Sequence, residues 1–218
     1  MGFRWLGLAA FLGVLAYMAG LALDVAWIRL ATKPLPVLIL AAAATSWGHG
    51  RYARRLTAGL LLCAVGDVLL ELGEEAFLAG LVVFLAAHLA YASAFLSDEH
   101  ALRPWRALPF VVYGAAMYML LYPRLGAMAL PVGVYVAAIV TMMWRAAARI
   151  GRERKAASWA LVGAVLFGLS DTLIALDRFR APIPGVRYPI LLLYWAGQAG
   201  IALSAAQLGS DGDQPAGA

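Results

Sequence analysis

Cys63-Ala-Val-Gly-Asp67-Val-Leu-Leu-Glu71 sets two carboxylates into a stretch that otherwise reads as buried in lipid. The run around it, 56–73, is long enough for a helix across a bilayer core, which needs about 20 mostly apolar residues. A second stretch, Leu166-Phe-Gly-Leu-Ser170-Asp171-Thr-Leu173, repeats the arrangement far downstream. A charged carboxylate at the centre of a membrane helix costs roughly 2.5–3.5 kcal/mol on insertion scales. A protein carries two of them mainly when chemistry, transport or a buried ion pair requires it.

Composition agrees with a chain built around membrane helices. Of 218 residues, 64% are hydrophobic and 13% charged, against about 25% charged in soluble domains; the mean hydropathy is +0.81. The expected fold is all-α, a polytopic membrane helix bundle over residues 1–208, with a disordered polar tail at 209–218. Eight spans are expected, at 5–23, 34–48, 56–73, 76–96, 106–122, 127–146, 157–176 and 188–208. The weakest boundary is Glu71-Leu-Gly-Glu-Glu75, the sole polar break between the third and fourth spans, which demands a tight hairpin. The first run is too long for a signal-peptide core and reads as a retained helix.

The basic residues lie between the spans, so the pI near 9.6 reflects topology and not nucleic-acid binding. With eight spans, eleven Lys and Arg residues fall on the side of the termini and six on the other. The positive-inside rule then puts both termini in the cytoplasm, in a bacterial inner (plasma) membrane. A seven-span arrangement would move the C-terminus. In the eight-span arrangement Asp67 and Asp171 lie in the outer portions of two spans that run the same way. Lys33 opens the second span at the outer face, and Tyr194 lies in the outer half of the last.

These residues form the candidate site. Asp67 and Glu71 are four apart on one helix face; the bland reading of Asp67 and Asp171 is an ion pair with a Lys or Arg across the bundle. Glu74 and Glu75 read as solvated loop residues. Asp177 and Arg178 read as an interfacial pair or a headgroup contact. His88 and Tyr91, three apart in mid-span, are either core hydrogen-bonding groups or a proton shuttle beside a carboxylate. His49 and His100 fall in basic loops. Ser170 precedes Asp171. Tyr194 and Gln198, four apart, can bond a substrate, and helix-to-helix bonding is the plainer reading of Gln198. Lys33 either snorkels to the interface or binds a phosphate. Gly59, Gly66, Gly163 and Gly168 read as helix contacts. There is no Gly-x-Ser-x-Gly elbow and no His-Glu-x-x-His pair. One histidine at membrane depth and one cysteine leave no zinc ligand set, so neither metal nor cofactor is expected. What remains is an acid/base kit.

Thr32-Lys-Pro-Leu35, Gly66-Asp67-Val-Leu-Leu70, Phe77-Leu-x-Gly-Leu81 running on to Phe84, His88 and Tyr91, Leu169-Ser-Asp171, Ala175-Leu-Asp-Arg-Phe179 and Tyr194 to Gln198 together resemble the YhhN-like lysoplasmalogenase family of membrane proteins. The resemblance runs from the second span to the last. It implies an eight-helix enzyme that hydrolyses the vinyl ether bond of lysoplasmalogens, alkenyl-glycerophosphoethanolamine or -choline, to a fatty aldehyde and a glycerophospho-base. It implies Asp67 and Asp171 as catalytic residues, and a lysophospholipid drawn from the surrounding membrane lipids as the partner. The chemistry suits the residues. Protonation of the β-carbon creates an oxocarbenium-like cation, which water attacks. A carboxylic acid can deliver the proton, and a second carboxylate can stabilise the cation and activate water, as paired carboxylates do at glycosidic bonds. Two other classes fit the same acids: a proton-coupled transporter with Asp67, Asp171 and His88 as a relay, and a non-catalytic lipid-binding protein. The Gly-Asp-Val-Leu and Ser-Asp-Thr-Leu echo hints at the internal repeats of transporters, but its flanks do not repeat. Aldehyde release separates the classes.

Overall fold

A computed structural model describes residues 3–48, 50–151 and 154–211. Its regular structure is helical throughout, as lipid requires of a spanning chain that is not a barrel, because each helix satisfies its own backbone. The helices are α1 (Phe3–Ala22), α2 (Ala26–Thr32), α3 (Leu35–Trp47), α4 (Gly50–Glu71), α5 (Phe77–Asp98), α6 (Leu108–Leu125), α7 (Ala129–Ala148), α8 (Arg154–Phe179) and α9 (Arg187–Asp211). Six segments among the described residues are long and apolar enough to cross a membrane, and one of these, Pro104–Ala148, contains both α6 and α7. Helix α9 runs three residues into the stretch expected to be disordered; residues 212–218, like His49, lie outside the described residues.

Helices α3, α4, α5, α7, α8 and α9 close a ring, each packed on the next and α9 returning to both α3 and α4. Outside it, α1 lies on α3, and α6 lies on α7 and α8. The outward faces carry exposed Phe11, Leu12, Leu15, Val111, Val112, Met119, Val134 and Leu192, side chains suited to lipid. Phe84, His88, Tyr91, Phe167, Tyr194 and Gln198 fill the interior.

The second expected span, 34–48, is α3, and a short helix that the sequence does not mark, α2, precedes it and joins it at Lys33-Pro34. Pro34 keeps helical torsions (φ −77, ψ −16) but has no N–H to give the ladder. The backbone keeps helical torsions across the junction, and Arg29 and Lys33 stay one turn apart. The α4–α5 hairpin is as tight as the sequence demands. Gly73, at φ 105, takes a torsion that L side chains rarely adopt, and a single 3-10 turn, Glu74–Ala76, leads into α5.

The marked glycines are contacts. Gly66 leaves room for the Phe84 ring, Gly59 for the Tyr91 ring and Gly168 for Met143. At the α8–α9 seam the contact is backbone to backbone. A Cβ on Gly163 would stand 2.6 Å from Gly197 O and 2.6 Å from Ile201 N.

The end of the bundle nearer the 99–106 segment is tied by buried arginines. Sequence reading counts Arg145 and Arg149 among the charges that set topology; both are buried on or beside the last turn of α7. Arg149 donates to Asp98 Oδ2 (2.7 Å) and to Tyr52 Oη (2.8 Å), and its guanidinium lies over the Tyr52 ring at 4.7 Å. The Tyr52 hydroxyl in turn meets Ser204 Oγ at 2.5 Å. Arg145 donates to the carbonyls of Glu99 and Ala101. Arg149→Met, which keeps length and loses charge, is expected to lower stability by roughly 3 kcal/mol because it strands Asp98. The melting temperature in detergent is the measurement, and an unchanged melt would make Arg149 dispensable to the fold.

Candidate active site

The site lies at the opposite end, around Asp67 and Asp171. Asp67 is one turn from the end of α4 and 1% exposed; Asp171 is two turns from the end of α8 and 8% exposed. Helices α4 and α8 are not packed backbone against backbone among the described residues; α9 packs on both, and α5 on α4. The two carboxylates line adjoining cavities. Asp67 lines a cavity of about 470 Å³ together with Lys33, Ser170, Asp177, Arg178, Arg187 and Tyr194. Asp171 lines a smaller one of about 70 Å³, whose other walls are almost all apolar: Leu81, Met117, Leu121, Val132, Val136 and Ile139, with Tyr135. Leu70, Phe77, Phe84 and Ile174 border both cavities. The matching depth of the two aspartates thus leads to neighbouring cavities with a shared wall.

Each acid has its own tyrosine. Tyr194 on α9 donates to Asp67 Oδ2 at 2.7 Å. Tyr135 on α7 donates to Asp171 Oδ2 at 3.0 Å. The ion pairs among the described residues include none between either aspartate and a Lys or Arg; the sole pairing is His88 Nε2 with Asp171 Oδ2, 3.1 Å apart. The plain ion-pair reading of these acids is therefore not what the fold adopts. His88 is fully buried and stacked on Phe167, ring centroids 4.5 Å apart. Its Nδ1 lies 2.6 Å from Phe84 O. A carbonyl only accepts, so Nδ1 carries a proton. Nε2 then faces a carboxylate oxygen 3.1 Å away and makes no hydrogen bond among the described residues. Two lone pairs would repel at that distance, and a proton between them would turn the contact into an attraction.

Glu71 plays a different part from Asp67. Its side chain is 3% exposed and gathers the cations of the larger cavity's end. It accepts from Tyr17 (3.0 Å), from Arg29 Nε (2.9 Å) and from Arg187 (2.7 and 2.8 Å), and Lys33 Nζ lies 3.3 Å away. Arg29 and Lys33, at i and i+4, reach one acceptor because helical torsions continue through Lys33 (φ −56, ψ −46) and keep them on one face. At the rim Arg178 makes two bonds to Glu74, 2.8 and 2.5 Å, and covers the Phe77 ring at 3.6 Å. Asp177 is not its partner: Asp177 Oδ1 accepts from Ile183 N–H (2.7 Å) and fixes the α8–α9 loop. Adjacent helical residues point apart, which is why the expected Asp177–Arg178 pair does not form.

The remaining candidates hold helices together. Tyr91 donates to Gln198 Oε1 (2.6 Å), and Gln198 Nε2 reaches Cys63 Sγ (3.3 Å), joining α5, α9 and α4. Ser170 Oγ donates to Ile190 O (2.9 Å) while facing the larger cavity. The described residues contain no group of three or more His, Cys, Asp or Glu side chains gathered as metal ligands.

Residues 28–205 match the model of the YhhN family, so the chain belongs to that family. Among its relatives, the protein named lysoplasmalogenase TMEM86A of Bos taurus is 38% identical over 194 residues, 83% of this chain and 79% of that protein. TMEM86B of Homo sapiens, also named a lysoplasmalogenase, is 35% identical over 184 residues, 84% of this chain and 77% of that protein. A lysoplasmalogenase of Mycobacterium tuberculosis is 34% identical over 182 residues, covering 79% and 68%. No solved structure matches.

Proposed function

We propose that this chain is a lysoplasmalogenase: a membrane hydrolase that cleaves the vinyl ether of an alkenyl-glycerophosphoethanolamine or -choline to a fatty aldehyde and a glycerophospho-base, with Asp67 and Asp171 as its acid/base pair. The observation that carries the reading is the pair of buried carboxylates, neither within ion-pair distance of a Lys or Arg among the described residues, lining adjoining cavities of opposite character. A single-chain phospholipid has the same division, a charged head and an apolar chain, with the vinyl ether at the junction. The relatives' names support it. The test is direct: purified protein is incubated with a lysoplasmalogen and released aldehyde is measured. Lipid retained without aldehyde would favour a binding protein, and proton uptake coupled to solute movement a transporter.

In this reading the chain crosses the bilayer eight times, α2–α3 counting as one span and α4 as another despite its charged ends. Both termini face the cytoplasm of a bacterial inner membrane and the site opens outward. Reporter fusions at the two termini check that orientation.

Lys33 takes the substrate phosphate. It lines the larger cavity, is buried, and a flexible ammonium suits a phosphate as a point charge. Lys33→Ala is expected to raise KM on the order of tenfold with turnover little changed, the signature of lost ground-state binding through a charged contact. Unchanged kinetics would confine Lys33 to its contact with Glu71.

A further inference from the structure

The two aspartates are not equivalent, and the difference divides the reaction between them. We infer that Asp171 is the acid that protonates the β-carbon of the vinyl ether, that His88 is its positioning partner, and that Asp67 is the base that takes the proton of the attacking water. The assignment rests on the hydrolase reading above.

In a vinyl ether, O–CH=CH–R, the carbon that receives the proton is the chain-side one, C2. The carbon that receives water is the oxygen-bound one, C1. Asp171 lies on the apolar cavity, where the chain belongs; Asp67 lies on the larger cavity, beside Lys33 and the other charged groups that suit the head and water. Phe84, Phe77, Leu70 and Ile174 border both and bracket the junction where C1 and C2 would sit. Asp171 is also the acid supplied with a proton. The Phe84 carbonyl holds the hydrogen of His88 on Nδ1, which leaves Nε2 to share a proton with Asp171 Oδ2 at 3.1 Å. Tyr135 fixes the same oxygen from α7. Among the described residues Asp67 has a single tyrosine donor and no histidine.

The steps balance. Asp171 gives its proton to C2, and the C1=C2 π pair becomes the new C–H bond, leaving an oxocarbenium at C1. Water attacks C1 as Asp67 takes one of its protons, forming the hemiacetal. Asp67 then returns that proton to the glycerol oxygen as the C1–O bond breaks. The hemiacetal hydroxyl proton passes to Asp171 as C1=O forms. Both acids are reset, and the sum is vinyl ether plus water to aldehyde plus alcohol.

The test uses the full chain in heavy water. If water attack is slowed while protonation survives, the cation returns to alkene; C2 then carries one hydrogen and one deuterium and keeps the label when hydrogen leaves. Unreacted alkenyl-glycerophosphoethanolamine recovered from Asp67→Asn is expected to carry deuterium at C2, and substrate from Asp171→Asn none, by mass spectrometry. Label from the Asp171 variant, or none from the Asp67 variant, overturns the assignment. A parent protein that releases no aldehyde overturns the hydrolase reading and the assignment with it, whereas an active parent with the reversed label pattern overturns the assignment alone. For His88, His88→Leu is expected to lower kcat on the order of tenfold or more at unchanged KM. His88→Gln, which keeps an amide near the Nε2 position, is expected to recover part of the rate, and it stands in should the Leu variant fail to fold. A folded His88 variant with the parent's kcat overturns the positioning role.

Discussion

Asp67→Asn and Asp171→Asn are each expected to release aldehyde at least on the order of a hundredfold more slowly than the parent, while melting within a degree or two of it. Asparagine keeps the shape of the side chain and an oxygen that can still accept from Tyr194 or Tyr135. It can neither supply an acidic proton nor carry negative charge. The substitution strands no Lys or Arg, because the described ion pairs place none on either carboxylate. The usual penalty for breaking a buried ion pair, roughly 3–5 kcal/mol, therefore does not apply. At Asp171 the amide can still face His88. Rate of aldehyde release and melting temperature in detergent, read on the same preparations, decide the matter. A lowered melt with proportionate activity in the surviving fold would make the aspartates structural. A folded and fully active variant would remove that residue from the mechanism.

The acids were legible in the sequence because lipid makes them so: a carboxylate inside an apolar run of spanning length is costly enough to be noticed. Their tyrosines were less even-handed. Tyr194 stood near Gln198 on the last span and drew attention. Tyr135 sits in Val132-Gly-Val-Tyr135-Val on α7, a lone hydroxyl in an apolar helix with no acid near it in sequence, and only packing of α7 on α8 brings it to Asp171. Tyr17 reaches Glu71 across 54 residues for the same reason. One signal was present and unused: Arg29 and Lys33 share a helical face at i and i+4, which marks an acidic partner for α2.

Charge counting is blind to burial at the other end. The positive-inside rule weighs each Arg between spans alike and does not separate a solvated loop charge from one held inside. Arg149 is 2% exposed and bonded to Asp98 and Tyr52; Arg51, Arg54 and Arg55, read as loop residues, ride the first turns of α4. The location of these charges at one end of the bundle survives that correction, since burial changes their partners and not their end.

The α8–α9 seam carries the second large effect. Gly163→Ala is expected to disrupt the fold, with loss of most active protein on purification and a melt lowered by many degrees in what remains. In an ordinary helix interior, glycine to alanine gains up to about 1 kcal/mol. Here the added Cβ would meet Gly197 O and Ile201 N, both at 2.6 Å, and neither backbone atom can swing away as a side-chain tip can. Relief requires α8 and α9 to separate. That movement would draw Ser170 from Ile190 O and pull apart the α8 and α9 walls of the larger cavity. Two controls sharpen the expectation. Gly7→Ala in α1 has nothing within 4 Å of its new Cβ and should be neutral or mildly stabilising. Gly168→Ala, on the same helix, presses on the flexible end of Met143 and should cost far less than Gly163→Ala. Small residues at membrane helix seams let backbones approach, and the ordering Gly163, then Gly168, then Gly7 follows from whether the atom in the way can move. A Gly163→Ala protein with the parent's melt would mean the seam is looser than its geometry, and the division of the site between two cavities would lose its rigid frame.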